Sequence, residues 1–131
     1  MAYTTIDDPS AYFHIALYTG SGSEKDITND ANAGDFKPDF IWIKQRNAAT
    51  DHGLFDSTRG VTKNLKSNKT DAESTEAQSV KTFNTDGFTL GTSGDYNGSS
   101  DTHVAWQWKA NGGTTSSNTS GSITSTVQAN T

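Results

Sequence analysis

Asp39-Phe40-Ile41-Trp42-Ile43-Lys44 and His103-Val104-Ala105-Trp106-Gln107-Trp108-Lys109 hold all three tryptophans of the chain in two short, widely separated bursts. The sequence around them is dominated by Ser, Thr, Asn, Asp and Gly. Aromatic and β-branched residues in runs of this length suit strands, whose pleated, half-buried surface they pack well. Side chains alternate along a strand, so Val104, Trp106 and Trp108 share one face, and Ala105, Gln107 and Lys109 the other. The tryptophan face is therefore expected to line the interior. In the first burst Ile41 and Ile43 oppose Phe40 and Trp42, so that strand is expected to be covered on both sides.

Further strands follow the same reading. Residues 12–18 alternate Phe13, Ile15 and Leu17 against Tyr12, His14, Ala16 and Tyr18, and stop at Gly20-Ser21-Gly22. Short strands are expected near residues 26–28 and 52–56, and a half-buried one over 61–68. Residues 70–77 read as a loop or a single helical turn. Thr85-Asp86-Gly87 between two alternating segments signals a hairpin, because glycine accepts a positive φ at low steric cost. The pattern predicts an all-β chain folded as a β-sandwich. Residues 1–9 form an N-terminal arm in this reading and 10–110 the sandwich. The Asn/Gly/Thr/Ser-rich stretch 111–121 is then a flexible linker, and 122–131 begins a further domain.

Composition narrows the function. The chain has 131 residues, 31% hydrophobic and 10% aromatic, with a mean hydropathy of -0.72. The aromatics suffice for one thin core, at roughly 150–250 Å² buried per ring. A net charge of -5 argues against a phosphate-backbone partner, so no nucleic acid is expected. There is no cysteine, which removes disulfides, thiolate metal sites and thiol nucleophiles. No apolar run approaches the roughly 20 residues of a spanning helix, so no membrane insertion is expected.

No catalytic constellation stands out. His14, His52 and His103 lie on separate strands without metal-pair spacing. His52 sits near Asp51 and Asp56, but reads more simply as a partly exposed strand residue. Asp51, Asp56, Asp86, Asp95 and Asp101 could supply a carboxylate pair, yet all sit among turn residues, where Asp bonds its own backbone. Arg46, Arg59, Lys63 and Lys66 could meet acidic partners or glycans, or Arg59 could bridge neighbouring loops. The loop Gly94-Asp95-Tyr96-Asn97-Gly98-Ser99-Ser100-Asp101 places oxygen ligands at 95, 97, 99 and 101, like the front of a calcium loop. The match fails at Ser100, where glycine belongs, and at Trp106, where a bidentate Glu belongs. No cofactor is expected, with calcium the one candidate.

Five segments in order and spacing carry a family resemblance: 12–20, Phe36-Lys37-Pro38 through Lys44, His52-Gly53-Leu54-Phe55-Asp56 through Gly60, Phe83 through Gly91, and Thr102 through Ala110. Over residues 10–112 the chain resembles a module of tail- and fibre-type virion structural proteins of marine tailed phages. The stretch from Gly22 to Gly34 departs from that pattern, being longer, more acidic and richer in amides. The resemblance implies an antiparallel jelly-roll β-sandwich of the concanavalin A-like kind, in a virion protein made in the host cytoplasm and not an enzyme. It also implies other virion proteins as partners, a homo-oligomer, and a role in assembly and adhesion to host surface glycans. Alternatives are a head-associated fibre, decoration or adaptor protein without glycan binding, and a glycan depolymerase or glycosidase. Recognition is expected in loops 21–35, 46–53 and 92–101, with Asp95, Tyr96, Asn97 and Asp101 as ligand-binding residues and an exposed Tyr96 stacking on a sugar.

Overall fold

The computed structural model of the protein describes residues 8–29, 35–110 and 115–128. The expected arm falls largely outside these residues, as do parts of loop 21–35 and of the expected linker and further domain. Asp8 caps a 3-10 turn, Pro9–Ala11, accepting from the Ser10 amide at 2.9 Å. The strands that follow are β1 (Phe13–Thr19), β2 (Lys25–Ile27), β3 (Phe40–Gln45), β4 (Gly53–Asp56), β5 (Lys63–Asn64) and β6 (Ser74–Thr75). Then come β7 (Val80–Phe83), β8 (Phe88–Leu90), a single helical turn α1 (Gly94–Asn97) and β9 (Thr102–Trp108). The last pair is β10 (Thr115–Asn118) and β11 (Ser125–Gln128).

The chain is all-β with antiparallel sheets. A four-stranded sheet runs β1-β9-β3-β4 and a three-stranded sheet β2-β8-β7, with two-stranded pairs β5-β6 and β10-β11. The two larger sheets pack face to face in a sandwich-like arrangement. Ala16, Ile41, Ile43, Phe55 and Ala105 meet Ile27, Val80, Phe88 and Leu90, and Tyr96 of α1 completes the buried cluster. The hairpin at Asp86-Gly87 forms as expected, with Phe83 opposite Phe88 and Gly87 at φ 82°. A Cβ at Gly87 would meet the Ile27 carbonyl oxygen at 1.9 Å, so the turn also needs glycine in order to lie against β2.

Four expectations are corrected. The tryptophans of β9 do not face the interior: His103, Ala105 and Gln107 do, each with no exposed surface, while Trp106 and Trp108 lie half-buried on the outer face. Register explains it. Ala105 pairs with Ala16 and Ile43, both inward, and the space over this central strand is filled by Phe55, Phe88 and Tyr96. β3 is likewise covered on one side only among the described residues, with Ile41 and Ile43 sealed inside and Phe40 and Trp42 half-buried outside.

Residues 61–68 contribute only the two-residue β5, since Thr62 adopts φ 67°, and the buried member is Asn64 rather than an apolar residue. Finally, Thr115–Asn118, inside the stretch expected as a linker, pairs with Ser125–Gln128. Threonine is a good strand former, so Ser/Thr-rich composition does not separate a polar hairpin from a linker.

The core arrangement sets a stability contrast. Phe88→Ala should cost about 3–5 kcal/mol. Leu17→Ala, at a position 64% exposed, should stay within about 0.5 kcal/mol. Guanidinium unfolding midpoints of the two variants check this; equal losses would mean that the outer face is covered.

Candidate functional site

The outer face of the four-stranded sheet is the candidate site. Alternation and register place three rows across it: Phe13–Trp108–Phe40, Ile15–Trp106–Trp42–Leu54, and Leu17–Val104–Lys44. Trp108 lies between two phenylalanines, with ring centroids 5.1 Å from Phe13 and 5.2 Å from Phe40. Trp42 meets Trp106 edge-on at 5.7 Å and 62°. Such tilted and edge-on contacts suit the ring quadrupole and are worth about 0.5–1.5 kcal/mol each beyond burial. Trp42 donates from Nε1 to His52 Nδ1 at 2.8 Å, which fixes the indole and the imidazole tautomer together. The three indoles line an open depression of about 260 Å³.

Polar groups border this face. Lys44 donates to the carbonyls of Gln45 at 2.6 Å and Ala48 at 3.0 Å. Arg59 pairs with Asp56 and donates to the Leu54 carbonyl at 3.0 Å and to Glu73 at 3.1 Å, so it does bridge neighbouring loops. Asp51 accepts from Lys69, Asn68 and Lys66, which together hold its carboxyl well below the usual carboxylate range.

The residues expected to bind ligand do not form a surface. Tyr96 is fully buried: its ring packs edge-on to Phe55 at 5.3 Å and its hydroxyl accepts from Asn64 Nδ2 at 2.9 Å. Burial pushes its phenol above the usual tyrosine range. Asn97 is buried too, donating to the carbonyls of Ser23 at 2.6 Å and Gly91 at 2.7 Å and accepting from the Ser21 amide at 2.9 Å. Asp95 is exposed, and Asp101 accepts from Asn47 Nδ2 at 3.3 Å. Among the described residues no group of three or more His, Asp and Glu is placed to hold a metal ion. The expected stacking role of Tyr96 is thus corrected, because a one-turn helix rotates the ring into the core. The outer tryptophans were missed for the converse reason: parity within a strand is visible in sequence, but which parity faces solvent is not.

His103 is a further buried titratable group. Its ring stacks on Tyr18 at 5.0 Å and 10°. Its nitrogens make no hydrogen bond of good geometry, although the Asp95 and Asp101 carbonyls lie close by. Burial lowers its pKa from 6.5, against the opposing pull of those carbonyls and the Asp101 carboxylate.

These features define an all-β, antiparallel, sandwich-like domain with an aromatic outer face. The chain belongs to the family described as Domain of unknown function (DUF7483), which matches residues 8–131. No curated protein and no solved structure matches it.

Two predictions follow from the buried groups. Because the folded pKa of His103 is depressed, the unfolded chain takes up a proton that the native state refuses. Stability should therefore fall as pH drops below about 6.5 and level off below the folded pKa. His103→Phe keeps the stacking and should remove that slope in urea midpoints measured from pH 8 to 5. Tyr96→Phe strands a buried amide donor and should cost about 1–3 kcal/mol in the same assay.

Proposed function

We propose that this domain is a non-catalytic virion module of a phage tail or fibre that recognises glycan on the tryptophan face of its four-stranded sheet. The observation that carries the reading is the placement of all three indoles, half-buried and side by side, on one outer face. The apolar C–H face of a pyranose packs on such rings, while its hydroxyls reach polar groups at the border, such as Lys44 and Asp56. The virion assignment rests on the five-segment resemblance in sequence. The finer jelly-roll, concanavalin A-like topology is proposed on the same ground and is supported by the two antiparallel sheets packed face to face. Three of the five candidate glycosidase carboxylates are engaged elsewhere: Asp51 by lysines, Asp56 by Arg59, and Asp86 by the Asn29 backbone amide at 3.3 Å.

A second reading has an observation of its own. The β1 side of the face is aliphatic, with Ile15 47% and Leu17 64% exposed, which suits a protein neighbour better than a sugar. In that reading the face is an assembly surface inside the particle, as in an adaptor or decoration protein.

Tryptophan fluorescence separates the two, since every indole of the chain lies on this face. A bound glycan identified on an array should shift the emission of the domain, and Trp42→Ala and Trp106→Ala should each weaken binding about tenfold, near 1.4 kcal/mol. Tyr96→Phe should bind normally. An array without hits, with a neighbouring virion protein seated on this face in the intact particle, would overturn the glycan reading in favour of assembly.

A further inference from the structure

We infer that β1 pairs through its free edge with β1 of a second copy, joining two four-stranded sheets into one across a twofold axis. The other edges of the two larger sheets are protected. β4 is closed by a bridge to Leu65, with Leu54 donating to Leu65 at 2.9 Å and accepting at 3.2 Å, and Arg59 caps the Leu54 carbonyl. β7 carries Lys81, a bulge between Val80 and Thr82, and a bond from the Thr62 amide to the Val80 carbonyl. β2 is only Lys25-Asp26-Ile27 and carries both charge signs. These are the usual devices against strand addition.

β1 has only one of them, at its end, where Lys25 Nζ donates to the Thr19 carbonyl. Phe13-His14-Ile15-Ala16-Leu17-Tyr18-Thr19 contains no Lys, Arg, Asp, Glu, Pro or Gly, pairs with β9 without a register shift, and has no strand paired on its other side among the described residues. An open groove of about 460 Å³ runs along it, between the edges of the two sheets.

Backbone parity fixes how a second strand would sit. The Tyr12 carbonyl accepts from the Lys109 amide at 2.9 Å, and the Gly20 amide donates to Asp101 at 2.8 Å, so even-numbered residues bond towards β9. Phe13, Ile15, Leu17 and Thr19 therefore turn their amides and carbonyls outward. Thr19 confirms the direction, because its carbonyl is taken by Lys25 Nζ at 2.7 Å on the free side. With Thr19 already engaged, the self-complementary register centres on Ile15: Ile15 opposite Ile15 of the copy, and Phe13 opposite Leu17 in both directions. Each of these pairs exchanges two hydrogen bonds, and each is apolar against apolar on the outer face.

A second copy fits this edge for reasons of charge and symmetry. The chain carries a net charge of -5, and β1 has no charged side chain, so a seam there sets no like charges in direct contact. An antiparallel seam read identically from both sides is what a twofold interface requires, and it consumes the open β1 edge of the four-stranded sheet in each copy. A seam this short lies below the ~1,200 Å² of standard interfaces, so the dimer should be concentration-dependent.

Sedimentation velocity of the full chain over a dilution series should show a monomer–dimer equilibrium. Ile15→Lys places two ammonium groups on the axis, and Leu17→Pro removes an outward amide that the internal ladder does not use. Each should raise the dimer dissociation constant at least about tenfold, with far-UV circular dichroism and monomer melting unchanged. The chain has no cysteine, so Ile15→Cys supplies a unique thiol. At about 5.5 Å between Cα atoms it should oxidise to a disulfide-linked dimer. Val61→Cys, 38% exposed elsewhere, should not crosslink. A monomer throughout the series, a species larger than the dimer, or a dimer indifferent to both Ile15→Lys and Leu17→Pro would overturn the inference.

Discussion

The facing of β9 is the constraint on which the rest of the structure depends. β9 lies between β1 and β3, and its inward row is His103, Ala105 and Gln107. Ala105, flanked by Ala16 and Ile43, leaves the sandwich interior open at its centre, and the large rings of Phe55, Phe88 and Tyr96 come from other elements to fill it. A slip of one residue would exchange the two rows, putting two indoles into space already occupied and His103 and Gln107 into water. The register thus fixes the core and the aromatic outer face at the same moment. That face follows from core packing rather than being added to it.

The second constraint is the polar anchoring of α1. Asn97 makes three hydrogen bonds from a fully buried amide, tying the turn to the loop after β1 and to the end of β8. Tyr96 is held from both ends, its hydroxyl by Asn64 and its carbonyl by the Tyr18 hydroxyl at 2.8 Å. A Cβ at Gly53 would lie 2.6 Å from the Tyr96 ring, so β4 must present glycine beneath it. A buried amide satisfied as fully as that of Asn97 rigidifies a fold, and any lost partner exposes the full desolvation cost of the other. A turn with such commitments is a poor place for ligand exchange.

Much of this was legible in the sequence, for identifiable reasons. β1, β3, β4, β7, β8 and β9 announce themselves by alternation, and the Asp86-Gly87 hairpin by its turn chemistry. The inward face of β9 was not legible, because Trp106 and Trp108 carry far more apolar surface than Ala105 and Gln107, and volume matching depends on partners far away in the chain. Asn64, Asn97 and His103 were illegible for a related reason: a buried amide or imidazole looks like a loop residue until its partners are placed. The candidate site was therefore read in the loop containing Tyr96, while the aromatic face was present in the alternation and assigned to the wrong side.

Across the outer face the chemistry changes in order of strands: aliphatic on β1, aromatic on β9 and β3, charged beyond β4. This gradient lets the two proposed uses of the sheet coexist. Pairing at β1 would engage Ile15 and Leu17 and leave the indole depression open, since Trp106 sits one strand inward. At about 4.8 Å per strand, the β9 strands of two copies would lie three spacings, or roughly 14 Å, apart on one continuous face. Two weak sites at a fixed separation gain affinity through effective concentration rather than through new contacts, which is how a thin, polar domain could hold a repetitive surface. The open edge would then set the spacing at which the aromatic face is presented.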